Sequence, residues 1–130
     1  MKKFNPVALI LMLAILVLYS FGCGPKIEKY GDAPDESAAR TEISNIMLEP
    51  QKYLDKAVVI EGVISTECPG GCWMKVSDKS AGTIYVEMLG CPFVPLPQRT
   101  GKNVLLKGVI YQNKGDNKEI RIAAKGLIIK

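Results

Sequence analysis

The chain contains two long runs of sheet-forming residues, Val58-Val59-Ile60-Glu61-Gly62-Val63-Ile64 and Asn103-Val104-Leu105-Leu106-Lys107-Gly108-Val109-Ile110-Tyr111. Both place a glycine directly before a Val-Ile pair, and such a density of β-branched residues is typical of strands. A glycine inside a strand, such as Gly62, predicts a bulge or a tight bend. The two runs therefore predict long strands that coil, as the strands of a small barrel must.

Three further strands and a turn are predicted around these two runs. The strands cover Cys72–Val76, Thr83–Leu89, and a bent pair of segments at 119–124 and 126–129, and Gly115-Asp116 marks a hairpin turn within 113–117. The fold class is therefore all-β, a small five-stranded OB-fold-like barrel. An open five-stranded sheet and an SH3-like barrel are the alternatives. The segment Cys91–Gly101 holds three prolines and is predicted to be a loop.

A short N-terminal helix is predicted in front of the barrel. Asp35 can cap a helix that starts at Glu36. Ile43, Ile46 and Met47 then follow at helical spacing and form one apolar stripe. Glu49-Pro50 ends this helix, because the residue before a proline avoids the helical region.

The first 22 residues have the pattern of a secretory signal peptide. Met1-Lys2-Lys3 is basic, and Val7–Leu18 is an unbroken apolar run shorter than the roughly 20 residues that a membrane-spanning helix needs. Gly22-Cys23 after such a run resembles the lipobox of bacterial lipoproteins, and this resemblance implies that Cys23 is the lipidation site. An uncleaved N-terminal anchor and cleavage by ordinary signal peptidase are the alternatives.

These features divide the chain into a signal peptide at 1–22, a flexible tether at 23–37 and an OB-fold-like domain at 38–130. The tether prediction rests on Gly24-Pro25, Gly31-Asp32 and Pro34, with few large apolar residues. The predicted location is the cell envelope, with the lipid as membrane anchor. The residue after the cysteine is Gly24 and not Asp. For a Gram-negative lipoprotein, the resemblance then implies sorting to the outer membrane, facing the periplasm.

A second resemblance covers roughly Lys56 to Lys130. The run Cys68-Pro69-Gly70-Gly71-Cys72-Trp73-Met74, followed by Phe93-Val94-Pro95 and Gly101-Lys102-Asn103-Val104, is similar to a set of uncharacterised, exported bacterial OB-type domains. Those domains share a Gly-Cys-Trp-Met string after an earlier cysteine. Because the set has no established activity, the resemblance implies a fold and a location but no reaction.

The cysteines are the candidate chemistry of the chain. With Cys23 lipidated, Cys68, Cys72 and Cys91 remain, an odd number for an exported protein. One interpretation is a structural disulfide that joins Cys68 to Cys72 or either of them to Cys91. The alternatives are thiol–redox exchange and a soft-metal site for Cu(I) or zinc, with Met74 and Met88 as auxiliary ligands. Otherwise no cofactor is expected.

Composition excludes several classes of function. The 130 residues include no histidine, so no Ser-His-Asp triad, no Cys-His pair and no imidazole ligand can form within the chain. The net charge is +4, of which Lys2 and Lys3 in the signal peptide supply two, and no basic stripe predicts nucleic-acid binding. An enzyme is therefore not expected.

The predicted function is a lipid-anchored binding or scaffold module of the cell envelope, stabilised by a disulfide. Its partners would be the membrane and an envelope protein or a small ligand, with no nucleic acid. Tyr85 and Tyr111 are candidate surface aromatics, since OB domains can bind through rings on their strands. Trp73 is predicted to pack in the core or at the end of the barrel.

Overall fold

The computed structural model describes residues 5–18, 22, 24–88, 99–115 and 117–130. Helix α1 covers Pro6–Leu18 and consists entirely of apolar residues. In the part of the chain that the structure describes, no helix is both long enough and apolar enough to span a membrane.

Six strands and a second helix follow α1. The strands are β1 (Glu28–Gly31), β2 (Ala57–Glu67), β3 (Trp73–Ser77), β4 (Thr83–Glu87), β5 (Asn103–Gln112) and β6 (Ile120–Ile129). Helix α2 covers Ile43–Leu48 and leads into a 3₁₀ helix at Pro50–Lys52. Strands β2 to β6 confirm the five strands expected from the sequence.

Strands β2 to β6 close into a barrel. Strand β2 pairs antiparallel with β5 through residues 57–63 and with β3 through residues 63–67. Strand β3 pairs antiparallel with β4, β4 runs parallel to β6, and β6 pairs antiparallel with β5, which returns to β2. This five-stranded circuit is an OB fold, which confirms the fold class that the sequence predicts and excludes the open-sheet alternative.

Glycine permits β2 to change partners in the middle of the barrel. Gly62 lies where β2 passes from β5 to β3, and a Cβ atom there would collide with the backbone of Ser77. The bulge predicted at Gly62 falls slightly later, between Ile64 and Thr66. A second register shift occurs between Lys107 and Gly108. These irregularities give the long strands the coiling that barrel closure requires.

The hydrophobic core fills the interior of this barrel. Alternate residues of each strand point inward, and none of the described residues is a buried polar or charged side chain. The fully buried side chains include Ile60, Ile64, Val76, Val86, Leu106, Ile110, Ile122 and Leu127. Their burial supplies the main favourable contribution to folding.

Helix α2 covers one end of the core with the apolar stripe that its spacing predicts. Ile43 and Ile46 are fully buried, whereas Met47 is 42% exposed. The helix ends at Leu48, as the Glu49-Pro50 step predicts. It begins at Ile43 rather than Glu36. Asp35 accepts from Ser37 as a cap would, but residues 36–38 form only a single turn.

Strand β1 lies inside the segment that the sequence predicts to be a flexible tether. Residues 28–31 pair antiparallel with 126–129 of β6, and Tyr30 packs against the core. A Cβ atom at residue 126 would collide with the backbone of Asp32, so Gly126 permits this approach. The prediction of flexibility is therefore wrong for residues 28–31, where pairing with β6 and burial of Tyr30 offset the lost chain entropy.

Ion pairs and hydrogen bonds hold β1 to the end of β2. The guanidinium of Arg99 donates to both carboxylate oxygens of Glu28 at 2.9 and 3.0 Å. The Arg99 and Thr100 backbone N–H groups both donate to Oε1 of Glu67, at 2.6 and 2.8 Å. Residues 99–100 thus connect β1 to β2 at the end of the barrel where β2 finishes.

Candidate ligand-binding face

The outer surface of the barrel carries one row of polar and aromatic side chains that crosses four strands. Lys75 on β3 is paired with Tyr85 on β4, Tyr85 with Arg121 on β6, and Arg121 with Tyr111 on β5. Residues at equivalent register positions point to the same side of a sheet. Because the alternate residues fill the core, these four side chains stand together on the outside.

Tyr85 is held between two flat groups. The Trp73 ring stacks on it with a centroid separation of 5.5 Å and an interplanar angle of 25°. The guanidinium carbon of Arg121 lies 4.1 Å from the Tyr85 ring centroid, a cation–π contact. Strands β3 and β6 flank β4 on opposite sides, so these groups approach Tyr85 from opposite sides and fix the ring.

The charges of this surface balance one another. Arg121 donates to Glu119 at 2.8 and 2.9 Å, and the Tyr111 hydroxyl donates to Glu87. Lys75 is the exposed fourth charge. Two cationic and two anionic side chains give the face a net charge near zero, which does not favour a polyanion.

The electrostatics keep both tyrosines protonated. Burial, together with the hydrogen bond to the Glu87 carboxylate, raises the pKa of Tyr111 to about 12. Burial also raises the pKa of Tyr85, although Arg121 opposes the shift. Burial lowers the pKa of Arg121, but its hydrogen bonds to Glu119 and Tyr111 outweigh that effect and the net pKa is raised. The face is therefore a fixed pattern of neutral hydroxyls beside paired charges.

A disulfide loop borders this face at one end. Cys68 and Cys72 are bonded to each other, with their Cα atoms 5.7 Å apart. The Cys68 N–H donates to the Trp73 carbonyl at 2.9 Å, and the Met88 N–H donates to the Cys72 carbonyl at 3.0 Å. The loop between β2 and β3 is thus fixed beside the Trp73 ring.

The β5–β6 turn borders the face at its other end. The Asn113 N–H donates to the Glu119 carbonyl at 2.8 Å, and the Gln112 side chain donates to the Lys118 carbonyl at 2.9 Å. These bonds position the Glu119 carboxylate that holds Arg121. In an OB fold, the loops between the first two and the last two strands flank the surface that binds ligands.

The disulfide is one of the pairings that the sequence allows. Because Cys68 and Cys72 are bonded to each other, neither is joined to Cys91. Cys23, the predicted lipidation site, and Cys91 both lie outside the described residues. Most of the predicted 91–101 loop lies outside them as well, and residues 100–101 form a turn.

The methionines proposed as metal ligands lie in the core. The side chains of Met74 and Met88 are 2% and 0% exposed. Among the residues that the structure describes, no three Cys, Asp or Glu side chains gather in a group suited to a metal ion. Binding of Cu(I) or zinc stays a prediction, and it would require reduction of the Cys68–Cys72 disulfide to supply thiolate ligands.

The two candidate surface aromatics, Tyr85 and Tyr111, lie on the outer face, half-buried by their neighbours. Trp73 stands beside them at the end of the barrel, and it is Met74 rather than Trp73 that enters the core. Arg121 and Glu87 are not among the site residues predicted from the sequence. The inward–outward alternation of β4 and β6 could have placed both on the same side as Tyr85.

A separate cavity lies away from this face. It has a volume of about 780 Å³ and lies between residues 40–42, the middle of β2 and the β3–β4 turn. Three of its charged groups have internal partners, since Arg40 pairs with Glu61 and Asp78 accepts from the Ile43 N–H. These contacts hold α2 and β2 in place.

Comparisons with known proteins agree with the fold. The structure is similar to the hypothetical protein ygiW from E. coli, with a TM-score of 0.51, 18% identity, and coverage of 72% of this chain and 92% of that one. It is also similar to a candidate aspartyl-tRNA synthetase from Leishmania major Friedlin, with a TM-score of 0.53, 18% identity and coverage of 89% of this chain.

The two similar structures differ in how much of their own length the match covers. The matched region spans 25% of the Leishmania protein, so the activity in that protein's name belongs to a much longer chain. No model of a known family matches the sequence, and no curated protein is significantly similar to it. At 18% identity both likenesses show the fold alone. The chain thus contains an OB-type domain with an internal disulfide.

Proposed function

We propose that the chain is a lipid-anchored binding module of the cell envelope, and that it binds its ligand on the outer row of Lys75, Tyr85, Arg121 and Tyr111. The observation that carries this proposal is the fixed Tyr85 ring, stacked on Trp73 and contacted by Arg121 at 4.1 Å. Aromatic rings and arginine that are ordered before binding lose little entropy when a ligand arrives. Such groups are common energetic centres of binding surfaces.

Binding suits this face better than catalysis does. The Glu87 carboxylate accepts from Tyr111, and the Glu119 carboxylate is paired with Arg121. A general acid or base needs a titratable group with a pKa near the working pH. The pKa of Tyr111 is about 12, and the chain has no histidine. The face therefore offers recognition groups and no proton-transfer pair.

The chemistry of the ligand follows from the charge balance of the face. A small molecule or an exposed protein segment with a flat apolar side would pack against the edge of the Trp73–Tyr85 stack. Its flanking polar groups would bond to Lys75 and to the free lone pairs of Glu87. A nucleic acid is disfavoured, since the two carboxylates would lie against its phosphates.

Lipid anchoring completes the proposal. It rests on the apolar run before Gly22-Cys23 and on the small number of residues between Cys23 and β1, which starts at Glu28. Anchoring is expected to show as an acyl-modified peptide that begins at Cys23 when the mature protein is digested and weighed. An unmodified peptide that continues upstream of Cys23 would contradict it.

The test of the binding face uses a photo-crosslinking amino acid in the full chain in its native membranes. At position 75 the probe stands on the face, whereas at Lys79 it lies in the β3–β4 turn. We expect an adduct from position 75 that is absent from position 79 and is lost when Tyr85→Ala is added. An adduct unaffected by Tyr85→Ala, or equal adducts at both positions, would contradict the proposed face.

A further inference from the structure

The end of the barrel where β1 begins carries a second feature that the binding face does not use. A cavity of about 300 Å³ lies there, lined by the start of β1, the 99–102 turn and the end of β6. Its charged lining residues are four basic side chains and one carboxylate, namely Lys26, Arg99, Lys102, Lys130 and Glu28. The lining of this cavity is therefore basic, although Glu36 and Glu67 lie close to it as partners of Lys130 and of residues 99–100.

Two of these cations form no ion pair, although Lys26 lies near enough to Glu28 to help lower the pKa of that carboxyl. Arg99 forms its ion pair with Glu28, and Lys130 pairs with Glu36 at 2.5 Å. Lys26 and Lys102 are exposed and form no ion pair with any of the described residues. Two exposed ammonium groups at the rim of one cavity, neither held in an ion pair, favour an anion there.

An exposed apolar side chain accompanies the two lysines. Ile27 stands between Lys26 and Glu28, and 49% of it is exposed. Basic groups beside an exposed aliphatic side chain are the combination that binds to an anionic membrane surface. Pro25 also lines the cavity and precedes Lys26 directly.

Chain length determines how far this end can lie from a bilayer. Four residues, 24–27, lie between position 23 and the start of β1 at Glu28, which makes five steps along the chain. A fully extended chain spans at most about 3.5 Å per residue, so the cavity lies within roughly 17 Å of the anchored residue. A short linker of this kind gives the tethered group a local concentration that makes individually weak contacts effective.

We propose that this basic end, formed by Lys26, Lys102 and Ile27 around the cavity, docks on the headgroups of anionic phospholipids. The proposal rests on the lipid anchor of the proposed function, since the anchor holds the basic end at the membrane surface. Docking would orient the barrel with β1 towards the bilayer and leave the β5–β6 turn pointing away from it.

The experiment is hydrogen exchange of the full chain reconstituted into vesicles. One set of vesicles is pure phosphatidylcholine, and the other contains phosphatidylcholine and phosphatidylglycerol at about seven to three. We expect the amides of residues 24–30 and 99–104 to be protected more strongly in the anionic vesicles, and the difference to vanish at high salt. Removal of each lysine is expected to reduce this difference by about fivefold.

The matched variants distinguish docking from a general effect of charge. Lys26→Gln with Lys102→Gln should abolish the lipid-dependent protection, whereas Lys56→Gln with Lys114→Gln, at the other end of the barrel, should leave it intact. Equal losses in both double variants would overturn the proposal. So would equal protection in the two kinds of vesicle, or protection reproduced by inorganic phosphate with the chain in neutral detergent.

Failure of the anchor gives a different result from failure of docking. A chain that does not float with either kind of vesicle contradicts the anchor and the docking together. A chain that floats with both, but shows no protection that depends on phosphatidylglycerol, contradicts docking alone and leaves the anchor supported.

Discussion

Asp78 joins two segments that lie 35 positions apart in the sequence. Its carboxylate accepts a hydrogen bond from the Ile43 N–H at 2.7 Å, and Ser80 Oγ accepts one from the Ser44 N–H at 3.1 Å. Glu42, at the N-cap of α2, makes no side-chain capping bond. The β3–β4 turn therefore supplies the cap that the helix lacks locally.

Asp78→Ala is expected to lower the free energy of unfolding by about 1–2 kcal/mol, because the first N–H groups of α2 lose their acceptor. Asp78→Asn should retain most of that stability, since its amide oxygen still accepts. Chemical denaturation at neutral pH measures both variants. Equal losses in the two would contradict the capping role.

The same carboxylate predicts a pH dependence. Burial raises the pKa of Asp78, but hydrogen bonds from Ser80 and the Ile43 N–H outweigh that effect, and the net pKa lies below 3.8. The stability that Asp78 contributes is therefore present above the unfolded pKa of about 3.9 and is lost as the pH falls through the lower folded value. The difference between wild type and Asp78→Ala should therefore shrink as the pH falls below about 4, as acid-unfolding curves would show.

Tyr111 should be among the last tyrosines to ionise. Its pKa of about 12 lies above the ordinary 10.0, so its contribution to stability is complete below pH 10 and is lost as the pH rises towards the folded value. An ultraviolet titration in alkali should therefore show a late tyrosine phase that Tyr111→Phe removes. An unchanged late phase in that variant would assign it to another tyrosine.

At the scale of elements, the disulfide fixes the loop between β2 and β3. Cys68 and Cys72 close a ring four positions apart in sequence, and Cys68 follows Glu67, the carboxylate that holds residues 99–100. Closing a loop this short lowers the entropy of the unfolded chain and so raises its free energy by about 2 kcal/mol. The bond therefore stabilises both the border of the proposed binding face and the attachment of β1.

Cys68→Ala with Cys72→Ala should reduce the free energy of unfolding by about 2 kcal/mol, or roughly 10 °C in Tm for a domain of this size. Cys91→Ala is the matched control and should leave Tm unchanged. Calorimetry under non-reducing conditions measures all three proteins. A loss of Tm in Cys91→Ala as large as in the double variant would favour a pairing with Cys91 in solution.

Strand β1 makes a second prediction at this scale. A chain that starts at Gly24 retains β1, whereas a chain that starts at Ala38 lacks it and exposes the core beneath Tyr30. The shorter chain should lose about 2 kcal/mol, the burial of one large side chain. Gly126→Ala in the longer chain should cause a similar loss, because it blocks the approach of residue 32. Equal Tm values for all three chains would show that β1 contributes nothing.

For the molecule as a whole, the pairing pattern predicts cooperative unfolding. Strand β6 pairs with β1, β4 and β5, and β2 and β3 complete the closed circuit, so every barrel strand is paired on both sides. Calorimetry of the chain that starts at Gly24 should show one transition, with calorimetric and van't Hoff enthalpies that agree at about 70 kcal/mol. Two resolved transitions would mean that α2 or β1 unfolds separately.

The barrel was predictable from the sequence because each strand is recognisable from its own residues. Runs such as 58–64 and 103–111 are apolar enough to be identified without their partners, and the observed strands match them within a few residues. Strand β1 was not predicted, because only its Tyr30 packs against the core and its partner β6 is almost a hundred residues away in the sequence. The row across β3, β4, β6 and β5 depends on the register of four strands, which a linear pattern leaves open.

The first and last strands of the domain lie side by side, with Glu28 opposite Ile129. A reporter protein fused after Lys130 would therefore lie next to the segment that leads to residue 23, where it could clash with that segment. A short peptide joining residue 130 to residue 28, with the chain reopened in the 113–117 turn, would give a circular permutant. In that permutant the new N-terminus lies in the 113–117 turn. An N-terminal anchor would then hold the barrel by the opposite end and reverse its orientation relative to the anchor.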